Sequence, residues 1–260
     1  MTAKIETGPW IRRYRPAPNA RARLLCLPHA GGSAPFYLPF ARSIGPEVEV
    51  LAVQYPGRHD RYDEPGVDSI GGLADALLPE VLPYGDRPLA IFGHSMGAMI
   101  AFELALRLEE KGAGPLVVFA SGRRAPSRRR ADDSPVHLRD EDGLIAELRA
   151  LNGTDTRVFE DKDLLRMALP AIRNDYKAAE TYRYVPGPRL AAPVRGHVGD
   201  DDPRATLDEV RSWSEHTDGG FELRTYPGGH FYLSDQMQVV AAAVREQISD
   251  LLVQRGAAES

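Results

Sequence analysis

The chain has 260 residues, 43% of them hydrophobic, which is enough for one sizeable α/β core. Its net charge of −5 argues against a general nucleic-acid binder, which needs a basic face, and its lone cysteine, Cys26, excludes a disulfide framework or a cysteine metal site. No apolar segment approaches the roughly 18 residues of a membrane span and the N-terminus lacks an apolar signal region, so no membrane is expected and the location reads as cytoplasmic.

The opening, through Trp10 and Arg12-Arg13-Tyr14-Arg15-Pro16, is polar and interrupted by proline, and reads as an irregular arm. A first strand is expected over residues 23–27, ending at Pro28. The loop His29-Ala30-Gly31-Gly32-Ser33-Ala34 follows, then a short helix over 35–43 and a strand over 48–54. Tyr55-Pro56-Gly57-Arg58-His59 must be loop by its proline and glycine, whereas Ile70, Leu73, Ala74, Leu77, Leu78 and Val81 recur at helical spacing.

Leu89-Ala90-Ile91-Phe92 has the short apolar run of a buried parallel strand, and residues 99–106 continue as a largely buried helix. Between them stands Gly93-His94-Ser95-Met96-Gly97. The G-x-S-x-G pattern marks a sharp strand-to-helix turn that exposes a serine, and its glycines relieve the crowding of that crossing. Gly112-Ala113-Gly114-Pro115 ends the helix and residues 116–120 supply another strand. Strands alternating with helices favour a mostly parallel sheet with helices on both faces.

The alternation breaks from about residue 126 to 186, which reads as an insertion within one domain spanning 1–260. Leu144, Ile145, Leu148 and Leu151 make one helical stripe there. Leu164, Leu165, Ala168, Ile172 and Tyr176 make a second, which Pro170 is expected to kink. These stripes suit either the underside of a lid or packing on the main core. Strands over 194–198 and 221–226 resume the pattern around an amphipathic stretch containing Trp213, and a last helix runs from about residue 235.

If Ser95 is a nucleophile, an acid and then a histidine base should follow it in the chain. His230, in Pro227-Gly228-Gly229-His230-Phe231, comes directly after a strand on a glycine-rich loop that can aim an imidazole. His59, His137, His197 and His216 have no such setting. His29 is expected to shape its loop, and His94 to point away from the base. The acid falls in Gly199-Asp200-Asp201-Asp202-Pro203, where three consecutive carboxylates are equally available on the residues alone. Two backbone N–H groups should form an oxyanion hole: Met96 after the nucleophile and Ala30 in the early loop.

Together Pro28-His29-Ala30-Gly31-Gly32-Ser33, Gln54-Tyr55-Pro56-Gly57-Arg58, the serine motif, residues 199–203 and Pro227-Gly228-Gly229-His230-Phe231-Tyr232 resemble, in order and approximate spacing over about 22–252, the type II thioesterases of the α/β-hydrolase superfamily. These are editing enzymes of polyketide and non-ribosomal peptide synthases. The resemblance implies that Asp202, fourth in Gly-x-x-Asp, is the acid, with Asp200 and Asp201 behind it. It also implies a mobile helical lid over 126–186 and substrates held as thioesters on the phosphopantetheine arm of an acyl or peptidyl carrier protein. Catalysis by Ser95, His230 and Asp202 would need no metal and no bound organic cofactor. Two other readings use the same residues: a malonyl-type acyltransferase, which also carries Gly-His-Ser-x-Gly, and a non-catalytic hydrolase-like binding protein. Arg123, Arg124, Arg128, Arg129 and Arg130 form a basic cluster that is either a solvated loop or a contact for an acidic carrier.

Overall fold

A computed structural model of the protein describes residues 6–7, 9–130, 134–151 and 161–258. Among the described residues eight strands form one sheet: β1 (Glu6–Thr7), β2 (Ile11–Arg13), β3 (Ala22–Leu27), β4 (Val48–Val53), β5 (Leu89–His94), β6 (Val117–Ser121), β7 (Val194–Gly199) and β8 (Phe221–Tyr226). They are ordered β1-β2-β4-β3-β5-β6-β7-β8. β2 runs antiparallel to both β1 and β4, and every pairing from β4 to β8 is parallel.

Among the described residues the helices are α1 (Leu38–Ser43), α2 (Ile70–Val81), α3 (Met96–Glu110), α4 (Glu141–Leu151), α5 (Lys162–Thr181), α6 (Leu207–Arg211), α7 (Tyr232–Asp235) and α8 (Met237–Ala258). A strand buried on both faces sends alternate residues to opposite sides. Leu24 and Cys26 of β3 accordingly join Phe40, Val240, Val244 and Ile248 on the α1 and α8 side. Leu25 and Leu27 join Leu73, Leu77, Phe102 and Leu104 on the α2 and α3 side. Cys26 is fully buried, as its apolar neighbours suggest, and burial pushes its thiol well above the usual range. Among the described residues no helix is long and apolar enough to cross a membrane.

The irregular arm expected at the start is instead partly strand. Ile11 pairs with Val53 and Arg12 with Ala52, while Arg13 donates to the buried carboxylate of Glu49 at 2.6 Å and Arg12 to Asp60 at 2.6 Å. The polarity that hid β2 is answered by carboxylates far along the chain. Residues 1–5 and 8 of that arm, and 131–133 and 152–160 of the insertion, lie outside the described residues.

Between β6 and β7, α4 and α5 pack around the turn Val136–Leu138. Val136, Leu144, Leu148, Leu169 and Ile172 form a separate cluster, with Ile145, Leu165, Ala168 and Tyr176 beside it. Leu164, expected in the buried stripe, is 50% exposed. Asp161 caps α5 by accepting from the amides of Asp163 (2.9 Å) and Leu164 (3.1 Å). The helix is continuous through Pro170, and near its far end Ala178 packs into the main core.

Candidate active site

Ser95 occupies the turn from β5 to α3 with φ 55° and ψ −114°. Holding a non-glycine residue there costs on the order of 1–3 kcal/mol, so the surroundings must impose it. They do so by closeness. A Cβ on Gly93 would collide with the Gly97 carbonyl, and one on Gly97 with the Leu27 carbonyl, so any larger residue would push α3 away from β3. The Ser95 amide donates to the Ser121 carbonyl at 2.8 Å, tying the turn to the end of β6.

His230 reaches the serine from the loop between β8 and α7. Its Nε2 lies 2.9 Å from Ser95 Oγ and its Nδ1 lies 3.0 Å from each carboxylate oxygen of Asp202. A carboxylate only accepts, so Nδ1–H donates to Asp202 and Nε2 presents its lone pair to the serine hydroxyl. Asp202 is 7% exposed and also accepts the Arg204 amide at 2.8 Å. Asp200 and Asp201 are both exposed, and Asp200 accepts the Gly228 amide at 2.9 Å, bracing the histidine loop. Of the three carboxylates that residue type alone left equivalent, the one bonded to His230 is Asp202.

Ala30 and Met96 both line the cavity above Ser95. The Gly31 amide is taken by Asp175 (2.8 Å) and the Gly32 amide by the His29 carbonyl (2.9 Å), whereas the Ala30 amide is spent on no acceptor among the described residues. Met96 opens α3, where a helix has no internal acceptor for its first amides. A serine so bonded to an imidazole and carboxylate can be activated for attack on a carbonyl, and uncommitted N–H groups beside it can hold an oxygen that becomes charged.

The other histidines are held elsewhere. His29 is buried edge-on against Phe36 and Phe231, and burial, with His230 and Arg58 nearby, lowers its pKa to about 3, so it stays neutral. His94 departs from expectation. Its Nδ1 turns to Ser121 Oγ at 2.8 Å, but its ring packs on that of His230 with centroids 5.3 Å apart. Burial holds it well below the usual histidine range, so it abuts His230 as an uncharged ring. His59 bonds Ser33, His137 bonds Glu180, His197 bonds Gln247 and Tyr226, and His216 bonds Ser127.

The cavity over Ser95 has a volume of about 520 Å³. Met99, Ala125, Tyr176, Ala179 and Tyr182 supply apolar wall, and all five clustered arginines line it together with Arg183 and Arg204. The arginines differ in their commitments. Arg128 bonds Ser212 and pairs with Glu215, and Arg130 grips Glu209 through two bonds of 2.8 and 2.7 Å. Burial pushes the Glu209 carboxyl up, but Arg130 and the Thr206 amide more than offset it, leaving it at about 2. Exposed Arg129 and Arg183 ion-pair with no carboxylate among the described residues. Tyr182 and Arg183 were not singled out from sequence because they follow the end of α5 without periodicity; Tyr176 was visible only as part of an apolar stripe.

A parallel sheet of this order, with its serine on the turn after a central strand and the acid and histidine on later strand ends, defines an α/β-hydrolase. The thioesterase domain family matches residues 22–248, and the chain belongs to that family as a type II thioesterase, a hydrolytic enzyme. Thioesterase PikA5 of Streptomyces venezuelae is 49% identical over 98% of this chain and 90% of its own. Among solved structures, the type II thioesterase BorB from the borrelidin biosynthetic cluster superposes with a TM-score of 0.84 at 49% identity, covering 94% of this chain and 98% of that one. YbtT, a type II thioesterase from the yersiniabactin NRPS/PKS biosynthetic pathway, gives 0.82 at 29% identity, covering 91% and 97%.

Proposed function

We propose that the enzyme hydrolyses acyl groups held as thioesters on the phosphopantetheine arm of an acyl or peptidyl carrier protein, clearing stalled or aberrant chains during polyketide or non-ribosomal peptide assembly. The observation that carries this reading is the hydrogen-bonded series Ser95–His230–Asp202 at the floor of a cavity wide enough for an acyl chain, in a chain whose relatives serve such pathways. His230, oriented by Asp202, takes the hydroxyl proton as Ser95 Oγ attacks the thioester carbonyl. The amides of Ala30 and Met96 hold the developing oxyanion. Collapse expels the thiol, which takes the proton from His230. The same imidazole then activates a water that attacks the acyl-serine, releasing the free acid and restoring the hydroxyl. The insertion at about 126–186 acts as a lid within a single domain spanning 1–260. Tyr176, Ala179 and Tyr182 form the wall against which the acyl chain lies.

Intact-mass measurement of an acyl-loaded carrier protein before and after exposure to the enzyme tests the reading. Loss of the acyl mass with appearance of the free acid is the expected result. Persistence of the acyl group, or its appearance on an added acceptor thiol in place of the acid, would overturn hydrolysis in favour of binding or acyl transfer.

A further inference from the structure

The loop that carries Ala30 is closed by the Gly32 amide on the His29 carbonyl (2.9 Å) and tied at its end by Ser33 Oγ, 2.9 Å from His59 Nε2. Residues 29–33 lie between β3 and the 3₁₀ turn Ala34–Tyr37, and an oxyanion donor is useful only if its N–H is fixed within a few tenths of an ångström. A further hold on the middle of this loop comes from α5, far along the chain. Asp175 is 1% exposed and its Oδ2 accepts the Gly31 amide at 2.8 Å. The same carboxylate takes Arg58 in a two-pronged pair of 2.5 and 2.7 Å, and Arg58 Nη1 also donates to the Gly32 carbonyl at 3.0 Å. The peptide groups on both sides of the Gly31–Gly32 step are therefore clamped by one buried ion pair. Ile172, one turn earlier on α5, closes over Gly31, where a Cβ would come within 2.8 Å of its Cγ1.

Burying two charges is costly, and for stability alone such a pair is often no better than two well-packed apolar side chains. Its geometry here serves a second purpose. With the Gly31 amide committed to Asp175 and the Gly32 amide to the His29 carbonyl, the Ala30 amide is the one of the three left uncommitted beside the cavity that Ser95 lines. The clamp also joins the loop to the helix whose Tyr176 and Ala179 line the cavity, so cavity wall and loop are tied by one carboxylate.

We propose that Asp175, with Arg58, is the positioning residue of the oxyanion hole: it sets the Ala30 N–H through Gly31 without touching substrate. This rests on the serine mechanism proposed above. The neighbouring α5 bond from Lys177 to Asp68, 2.6 Å long and exposed at both ends, spans the same two segments without reaching the loop and serves as a control.

The test uses the whole enzyme and propionyl-N-acetylcysteamine as a small thioester that needs no carrier. Asp175→Ala should lower kcat about a hundredfold with KM nearly unchanged, the size of loss seen when one oxyanion donor is removed. Arg58→Met/Asp175→Leu leaves no lone buried charge. It should unfold near the wild-type temperature and show the same loss. Asp175→Asn, whose amide oxygen still accepts from Gly31, should recover part of the rate, and Lys177→Ala should match wild type. A trifluoromethyl ketone of similar length, which places an oxyanion at the hole once Ser95 adds to it, should lose affinity in proportion to kcat/KM, while propionate binding stays constant. If Ser95→Ala is inactive but Asp175→Ala, or a normally stable double variant, keeps wild-type kcat and ketone affinity, the clamp has no positioning role. Turnover surviving in Ser95→Ala would instead overturn the serine mechanism and this inference with it.

Discussion

Tyr232 lies flat on Tyr226, their rings 5.0 Å apart and 9° from parallel, and the Tyr232 hydroxyl sits 2.6 Å from Ser121 Oγ. The two tyrosines bracket residues 227–231, so the loop bearing His230 is pinned at both ends and anchored to the strand beside the serine. An imidazole on a glycine-rich loop is thereby held in a fixed direction toward Ser95 Oγ, 2.9 Å from its Nε2.

With the histidine so fixed, Ser95→Ala and His230→Ala should each cut thioester turnover by about 10⁴-fold or more, because nucleophile and base act as a unit. Far-ultraviolet circular dichroism should not change. A Ser95→Ala enzyme close to the wild-type rate on acyl-carrier substrate would refute the assignment.

The three carboxylates after β7 should separate cleanly. Asp202→Asn puts an amide where His230 needs an acceptor and should slow hydrolysis by several orders of magnitude. Asp201→Asn should leave the rate nearly intact, and Asp200→Asn should cost a fewfold through the Gly228 bond. Ranking the three by kcat/KM on one substrate checks the order, and Asp200→Asn emerging as the most damaging would reassign the acid.

Arginines at the cavity mouth are unequal, and that sharpens the question of carrier binding. Replacing Arg130 removes the partner of Glu209 and should show itself in thermal stability. Arg129→Ala/Arg183→Ala removes two exposed cations with no carboxylate partner among the described residues, and should weaken kcat/KM on an acidic acyl-carrier several-fold while flattening its salt dependence. A small acyl thioester should be turned over as before. Equal carrier rates for variant and wild type at low ionic strength would leave these residues as solvated surface.

Acid should destabilise the fold through histidines buried in neutral form. Burial, with Arg224 and Arg195 nearby, lowers the His197 pKa from 6.5 to about 4, and that of His29 falls to about 3. Below pH 6.5 the unfolded chain gains protons at these positions and the folded one does not, so stability present above 6.5 is lost as pH falls toward 4, at up to about 1.4 kcal/mol per pH unit for each residue. Urea midpoints should therefore drop between neutral pH and about pH 5, and His197→Gln should make the drop shallower even if it lowers the midpoint throughout. An unchanged slope would remove His197 from the account.

The central parallel strands were legible because both of their faces are buried: Leu24 to Leu27 and Leu89 to Phe92 can hardly be anything else in a chain of this composition. The serine elbow and the histidine loop were legible because their glycines answer a local steric demand. β2 was not, since its arginines are satisfied by Glu49 and Asp60, which no short window contains. Choice among Asp200, Asp201 and Asp202 depended on where the strand stops and which carboxylate turns inward, a tertiary fact that residue type does not carry. Arg58 and Asp175 lie 117 positions apart, and either one alone looks like an ordinary surface charge.

Serine is a poor choice for position 95 by the measure of folding alone. Glycine would adopt φ 55° and ψ −114° with no steric penalty, so Ser95→Gly should make the folded protein more stable while abolishing its chemistry. Selection for heat resistance and selection for turnover thus pull this one residue in opposite directions, and a thermostability screen run without an activity assay would be drawn to a robust, inert enzyme.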